Sequence, residues 1–357
     1  MPTLDETARQ VLSIPREAGT PEAARARELV SAHLQSLGYN VVSQNFTFAP
    51  SSLRAFPVFG AGLGGLALAL LPVLVSEGVR SWAAIIIWAI GLVALAVVAA
   101  GVGLGWVQSG EGLRYDANLI ATRGDGHPSR WIVAHLDTKA QVHSMAGRLV
   151  AVWIIGLAIV ALTAASLFRL QGALTLPLAS LPAGLALIAG FLAGRGRLRG
   201  YSMGARDNGT GVIAALAAAA AAPDARLGVL ITGAEEFGLV GARVFAKLNP
   251  SPPDTEYVNV DTVDQEGKLY LVSHNARGER LARALEPSLS RLAVPVQRRR
   301  LPLGIFVDSA PLARNGAAIT IGRLTWRTLR CIHTPADTPD GLSFHIAEQV
   351  GKAVALN

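Results

Sequence analysis

Four stretches of this chain contain no charged residue: Ala55–Ser76, Trp82–Gln108, Leu149–Phe168 and Gln171–Gly194. Crossing a hydrocarbon core takes about 20 apolar residues, and each stretch is long enough. The connections within pairs are short, Glu77–Ser81 and Arg169–Leu170, so the four runs predict two transmembrane hairpins. Hydrophobic residues make up 51% of the chain and charged residues only 16%. That is too apolar for an ordinary soluble domain, and the excess lies in these runs. Trp82, Trp106 and Trp153 sit near run ends, as expected at a membrane interface. A fifth apolar run, Val212–Ala222, is short and Ala-rich and reads as a buried core helix.

The runs hold none of the ionisable residues that mark transport pathways. They hold small-xxx-small pairs instead, Gly60/Gly64, Gly101/Gly105 and Gly190/Gly194, which suit close helix packing. An anchor, or a homo-oligomer interface, is the expected role. An even number of spans places both termini on one side. Arg54, Arg114, Lys139, Arg148, Arg195, Arg197, Arg199 and Arg206 flank the spans on that side, against Arg80 and Arg169 in the turns. The positive-inside rule then predicts a cytoplasmic soluble part of a cell-membrane protein. Met1–Gly19 has no apolar h-region, so no signal peptide is expected. The formal net charge of +7 comes partly from this cluster and suits anionic lipid headgroups. Nothing resembles a nucleic-acid module, and Arg298–Arg300 reads as a solvated edge.

Outside the runs, five motifs follow in order: AHLDT (Ala134–Thr138), GARDNGTG (Gly204–Gly211), GAEEFG (Gly233–Gly238), VNVDT (Val258–Thr262) and IHTPADT (Ile332–Thr338). Each alone is weak, since an HxD tripeptide or an EE pair occurs by chance. Their surroundings change that. RWIVAHLDT, LGVLITGAEEFG and EYVNVDT each read as a buried strand with acidic or imidazole residues at its carboxyl end. Ligands in open α/β sheets bind beyond those ends. Together the motifs supply His135, Asp207, Glu235, Glu236, Asp261 and His333. Imidazole nitrogen and carboxylate oxygen are zinc donors. Five such residues can hold two ions with one carboxylate between them, leaving a sixth as a base. Two ions about 3.5–4 Å apart activate a water and polarise a carbonyl, which is the equipment of a hydrolase.

The motif order resembles the co-catalytic zinc exopeptidases of the aminopeptidase and glutamate carboxypeptidase kind, a family that also contains glutaminyl cyclases. The likeness extends to GTPEAARARELVSAHLQSLGYNVVSQNFTF, DANLIATRGDG and the final GLSFHIAEQVGKAVAL. It leaves out the two apolar hairpins. It implies an α/β fold with a mixed, mostly parallel sheet flanked by helices, two zinc ions as cofactors and peptides as substrates. It implies that His135 and Asp261 are terminal ligands of one zinc, that Glu236 and His333 are terminal ligands of the other, and that Asp207 bridges them. Glu235 would be the general base. Asp137 would accept a hydrogen bond from the far nitrogen of His135. Asp337 either serves His333 similarly or is a turn residue. Asp207–Asn208 would hold an unusual backbone geometry, with Gly209 and Gly211 in a tight turn. One departure stands out: relatives often carry Ser-Asp-His-x-Pro-Phe where this chain has Val307-Asp308-Ser309-Ala310-Pro311-Leu312. The substrate preference of relatives therefore does not transfer. Asp308 either binds a substrate amine or makes a structural hydrogen bond.

The expected organisation is a discontinuous peptidase domain, residues 1–54, 109–148 and 195–357, interrupted by hairpins at 55–108 and 149–194. Because His135 and Asp207 flank the second hairpin, the metal site should lie close to the bilayer, acting on peptides or protein termini that arrive there. The alternatives are a single-zinc glutaminyl cyclase-like acyltransferase and a non-catalytic receptor or scaffold. Relatives of the latter kind typically lose ligands, and this chain keeps every one. The single Cys331 excludes an internal disulfide and is not expected to ligate metal. His143 lies in the loop before the third run and is read as facing the cleft. His33, His127, His274 and His345 read as ordinary packing or surface residues.

Overall fold

The structure is a computed structural model that describes residues 3–104, 106, 112–124, 126–222, 226–302 and 304–356. Gly105, the partner of Gly101 in the small-residue spacing, and the Gln108 end of the second apolar run lie outside the described residues. The chain divides into two units. One comprises Met1–Phe48, Leu113–Ala140 and Gly200–Asn357, and the other Ala49–Gly112 and Gln141–Arg199.

The strands are β1 (Asn40–Phe48), β2 (Arg114–Thr122), β3 (Arg130–His135), β4 (Leu227–Thr232), β5 (Glu256–Val263), β6 (Lys268–Ser273), β7 (Val296–Arg300) and β8 (Ala317–Leu324). The helices are α1 (Leu4–Leu12), α2 (Pro21–Ser36), α3 (Ala55–Val75), α4 (Ala83–Gly103), α5 (Met145–Phe168), α6 (Leu176–Gly194), α7 (Thr210–Ala221), α8 (Val240–Leu248), α9 (Ala276–Ser290), α10 (Ser309–Leu312), α11 (Trp326–Cys331) and α12 (His345–Ala355).

In the first unit, all eight strands form one sheet in the order β1-β2-β4-β3-β5-β8-β6-β7. The centre is parallel, β4/β3, β3/β5 and β5/β8, and antiparallel pairs flank it at β1/β2, β2/β4 and β8/β6. The central strands are apolar without alternation, because helices cover both faces of a parallel sheet. Every residue of β4, Leu-Gly-Val-Leu-Ile-Thr, is buried. The edges differ. β1 is mostly exposed, and β7 ends in Arg298, Arg299 and Arg300, charges that discourage pairing with another chain. Arg298 reaches Glu279 at 2.8 Å and Glu286 at 2.9 Å.

Helix α7, the fifth apolar run of the sequence, is buried over Thr210–Ala219 and belongs to the main core with α12 and the central strands. Helix α2 starts where its sequence dictates. Thr20 Oγ1 accepts from the Ala23 amide at 3.2 Å, and Pro21 occupies the first turn, where its missing N–H costs nothing.

The second unit consists of α3 to α6. All four helices are long and apolar enough to cross a membrane. Helix α5 begins at Met145, four residues before the charge-free run, because Ser144 caps it by accepting from the Gly147 amide. α3 and α6 meet through small residues, with Ala67, Ala186, Ala189 and Ala193 fully buried. Trp88 Nε1 donates to Thr163 Oγ1 at 2.9 Å, joining α4 to α5. Buried Arg169 donates to the carbonyls of Val73, Ser76 and Val79 at 2.6–3.1 Å, which closes the carboxyl end of α3. Large apolar side chains such as Ile90, Val97, Val160, Leu181 and Phe191 point outward and are exposed.

A Cβ on Gly190 would lie 2.7 Å from the Gly60 carbonyl oxygen, whereas one on Gly184 in the same helix meets nothing within 4 Å. Gly190→Val should therefore destabilise the detergent-solubilised protein by about 1–3 kcal/mol, read as a lowered thermal midpoint. Gly184→Val should leave it unchanged. Equal midpoints for the two variants would refute this packing.

Candidate metal centre

Strand β3 has β4 on one side and β5 on the other. The chain leaves β3 towards β4 and leaves β5 towards β6 on the other side, so the order reverses between β3 and β5, and ligand sites form at such points. His135 is the last residue of β3. Glu235 and Glu236 follow β4, and Asp261 lies late in β5. Asp207 lies in the wide turn Ala205–Gly209 before α7, and His333 follows α11.

These residues converge. His135 Nε2 is 3.2 Å from Asp207 Oδ1 and 3.7 Å from Asp261 Oδ1. His333 Nε2 is 3.0 Å from Asp207 Oδ2 and 3.2 Å from Glu236 Oε1. Two three-residue groups result, His135/Asp207/Asp261 and Asp207/Glu236/His333, each with ligand atoms within 4.8 Å of one another. Asp207 belongs to both and turns a different oxygen to each. Glu236 Oε1 is buried and accepts no hydrogen bond among the described residues. Such a donor set, all oxygen and imidazole nitrogen, fits divalent zinc on either side of Asp207.

Asp137 acts differently from the expectation, and Asp337 takes the turn role of its two alternatives. His135 Nδ1 donates to the Asp137 backbone carbonyl at 3.1 Å, while the Asp137 carboxylate stands 3.8 Å away. A proton on Nδ1 leaves the Nε2 lone pair facing the site. The Asp137 carboxylate instead accepts from the Glu235 and Glu236 amides at 3.0 and 3.1 Å. Asp337 does the same elsewhere, accepting from the Arg206 and Asp207 amides at 2.9 and 3.1 Å. His333 Nδ1 is buried with no partner among the described residues. Thus each carboxylate clamps the backbone of a turn that carries a ligand. Both turns present successive amides to one carboxylate, a geometry that residue identity alone does not announce.

Asn208 completes the frame. Its Oδ1 accepts from the Gly211 and Thr262 amides and its Nδ2 donates to the Val260 carbonyl at 2.9 Å, tying the Asp207 turn to β5. The Asp207–Asn208 peptide is cis. Gly211 must be glycine, since a Cβ there would lie 2.2 Å from both Asn208 Oδ1 and the Val260 carbonyl oxygen. Arg16, fully buried, donates to the carbonyls of Leu136, Met203 and Gly204 at 2.7–3.0 Å. It joins the end of β3 to the Asp207 turn, and an isolated arginine gave no sign of this in the sequence. Ala234, Thr262 and His333 all have positive φ, 51°, 59° and 63°. Non-glycine residues there carry strain of about 1–3 kcal/mol each, and all three sit at or beside ligand positions.

Electrostatics follow from burial. Burial and the charges of Glu236, Asp308 and Asp261 push the Glu235 carboxyl well above the usual range, against the pull of His135. Burial alone would lower both histidines, but Glu235, Asp207 and Asp261 raise His135 and Glu236 and Asp207 raise His333. Burial likewise opposes ionisation of Asp207 and Glu236. The two imidazoles outweigh it at Asp207, which is lowered, and His333 with Lys139 brings Glu236 down to about 2. Lys139, missed in the sequence as a site residue, places Nζ 2.5 Å from Glu236 Oε2. Burial raises Asp137 to about 7 and Asp308 and Asp337 to about 6.

Asp308 Oδ2 accepts from Thr232 Oγ1, while Oδ1 is buried without a partner among the described residues. Ser309 is hydrogen-bonded to His274 at 2.7 Å and Thr320 at 2.6 Å. His143 belongs to the apolar unit, where its ring packs against Phe56. His33 is bound to Thr7 at 3.0 Å. Cys331 donates to the Ala336 carbonyl and belongs to neither ligand group.

A family model described as peptidase family M28 matches residues 183–356, the segment that carries every site residue except His135, Asp137 and Lys139. Solved structures with the same fold include an aminopeptidase from Aneurinibacillus sp. strain AM-1, at 17% identity over 98% of this chain and 92% of that one, TM-score 0.56. A zinc aminopeptidase from Bacillus subtilis matches at 14% identity over 99% and 94%, TM-score 0.57. A Fimbriiglobus ruber glutaminyl cyclase matches at 17% identity over 99% and 94%, TM-score 0.53. No curated protein matches. The resemblance to the co-catalytic zinc family and the mixed α/β fold are thereby borne out.

Proton linkage gives a test of the centre. His135, His333, Glu235, Asp137, Asp308 and Asp337 all hold protons more tightly folded than unfolded. The stability this confers is present at low pH and is lost as pH rises through the folded values. Asp207 and Glu236 titrate below the window. The metal-free protein should therefore lose stability as pH rises from 5 to 8. Zinc, which displaces those protons, should stabilise far more at pH 8. A metal-free thermal midpoint that rises towards pH 8 would contradict this.

Proposed function

We propose that this chain is a membrane-anchored, zinc-dependent exopeptidase, an aminopeptidase that releases N-terminal residues from peptides. The observation that carries the reading is the pair of ligand groups that share Asp207, with buried Glu235 beside them in the turn held by Asp137. His135 and Asp261 would hold one zinc, Glu236 and His333 the other, with Asp207 common to both. Bound there, zinc supplies Lewis-acid polarisation of a carbonyl and a water of lowered pKa. Cobalt or manganese would suit the same donors.

Glu235 is the general base. It takes the proton of the attacking water and delivers it to the leaving amine. An environment that raises its proton affinity suits the delivery, since the carboxyl must hold the proton between the two steps. Asp137 keeps Glu235 and Glu236 in register through their amides. Burial of the site excludes bulk water, so the charges act at full strength.

The peptidase domain is discontinuous in this reading, residues 1–54, 109–148 and 195–357, with hairpins at 55–108 and 149–194. Four apolar helices with apolar outward faces support an anchor. The charge asymmetry of the flanking residues favours a cytoplasmic peptidase. Peptide ends presented near the bilayer are the proposed substrates.

Mass spectrometry of a mixed peptide library tests the activity. The wild type should remove single N-terminal residues. Glu235→Gln should be slower by about 10²–10⁴-fold at unchanged zinc content. Peptides left intact, with N-terminal glutamine losing ammonia instead, would replace this reading with a cyclase. No change in any peptide would replace it with a scaffold.

A further inference from the structure

The second unit gathers cations at one end. Among its described residues the only acid is Glu77, in the turn after α3. At the opposite end of α3, where α6 finishes, the chain reads Arg195-Gly196-Arg197-Leu198-Arg199. The three arginines are exposed, Gly196 is buried and Leu198 is half-buried. Among the described residues none of the three guanidiniums has a hydrogen-bond or ion-pair partner.

Neighbouring backbone holds this segment in place. The Val142 and His143 amides donate to the Arg197 and Arg195 carbonyls at 3.2 and 3.3 Å. Gln141 forms a β-bridge with Leu198, and its side chain donates to the Gly196 carbonyl. A Cβ on Gly196 would lie 3.2 Å from His143 Nε2 and 3.4 Å from Phe56 Cδ1, so the turn packs down on the start of α3. With Gly196 and Leu198 facing in, Arg195, Arg197 and Arg199 are left on the open side. Arg148, its guanidinium carbon 5.9 Å from the centre of the Phe56 ring, adds a fourth cation to this end.

Helix α6 continues the same surface with apolar side chains. Leu181, Ile188 and Phe191 are 71%, 54% and 67% exposed. Steps of seven, three and four residues lead from Leu181 to Arg195, spacings that keep all four on one helix face. The surface is therefore amphiphilic, with cations at the span end and an apolar stripe below them. Guanidinium groups take phosphate oxygens in bidentate pairs, and basic sites at span ends take anionic headgroups. A free anion would meet the arginines and leave the stripe bare, whereas a phospholipid covers both.

We propose that Arg195, Arg197 and Arg199, with the outward face of α6, form a binding site for one anionic phospholipid. Its phosphate lies on the guanidiniums and an acyl chain lies along Phe191, Ile188 and Leu181. The inference gives the membrane anchor a lipid partner of defined chemistry and rests on the anchor reading above.

Membranes that contain the full-length chain are first washed at alkaline pH. The chain is then purified in detergent and titrated with phosphatidylglycerol, phosphatidylcholine or inorganic phosphate, and native mass spectrometry counts the molecules bound. The wild type should hold one phosphatidylglycerol at least about tenfold more tightly than phosphatidylcholine. Arg195→Gln/Arg197→Gln/Arg199→Gln should lose that preference, and Arg195→Lys/Arg197→Lys/Arg199→Lys should keep most of it. Arg291→Gln/Arg299→Gln/Arg300→Gln removes the same charge from exposed arginines of the other unit and should bind like the wild type. Equal affinities for the two lipids in the wild type would overturn the proposal, whether or not the variants fold. So would equal losses in the two glutamine variants, or inorganic phosphate that displaces phosphatidylglycerol at equal concentration. A chain that the alkaline wash removes would overturn the anchor reading, and the proposal with it; a chain that stays without a lipid preference overturns the proposal alone.

Discussion

Carboxylates that converge out of reach of water repel one another, and none can stay ionised without a compensating cation. That constraint governs the whole centre. Asp207 meets it by standing between two imidazoles, with Oδ1 3.2 Å from His135 and Oδ2 3.0 Å from His333. Glu236 meets it through His333 and Lys139. Glu235 meets it by holding its proton. In the metal-free protein, charged imidazoles and retained protons occupy the electrostatic role that zinc would fill on binding. The arrangement is stable only if the backbone holds these groups together against their repulsion.

The sheet supplies that backbone. β3, flanked by β4 and β5, places three chain segments side by side at one end of the parallel core. Turns that leave those strands are then pinned by groups that never face the metal positions. Asp137 fixes the Glu235–Glu236 turn, Asp337 the Asp207 turn, Asn208 the junction of that turn with β5, and Arg16 the end of β3. Positive φ at Ala234, Thr262 and His333 is the local cost of bringing side chains from separate segments to one point. Rigid neighbours make that cost tolerable.

Much of this was legible in the sequence because burial leaves a compositional trace. Continuous apolar runs that end in His135, Glu235 and Asp261 reported central strands, and charge-free runs reported the helical hairpins. The Ala-rich stretch after Asp207 read as a core helix and is one. What could not be read depends on direction rather than residue type. Asp137 reads as serving His135, and Asp337 as either serving His333 or a turn residue; both carboxylates accept backbone amides, and only the path of each turn decides that. Arg16 donates to carbonyls, which leave no pattern in sequence. Lys139 looks in the sequence like one more flanking charge, because its distance from Glu236 is a product of folding across 96 intervening positions.

The proposed chemistry depends on metal lying to either side of Asp207. The most direct measurement is X-ray diffraction at the zinc absorption edge from crystals grown in excess zinc. It should show two anomalous peaks, one bounded by His135, Asp207 and Asp261 and the other by Asp207, Glu236 and His333. Zinc bound elsewhere on the chain, with neither position showing a peak, would contradict it.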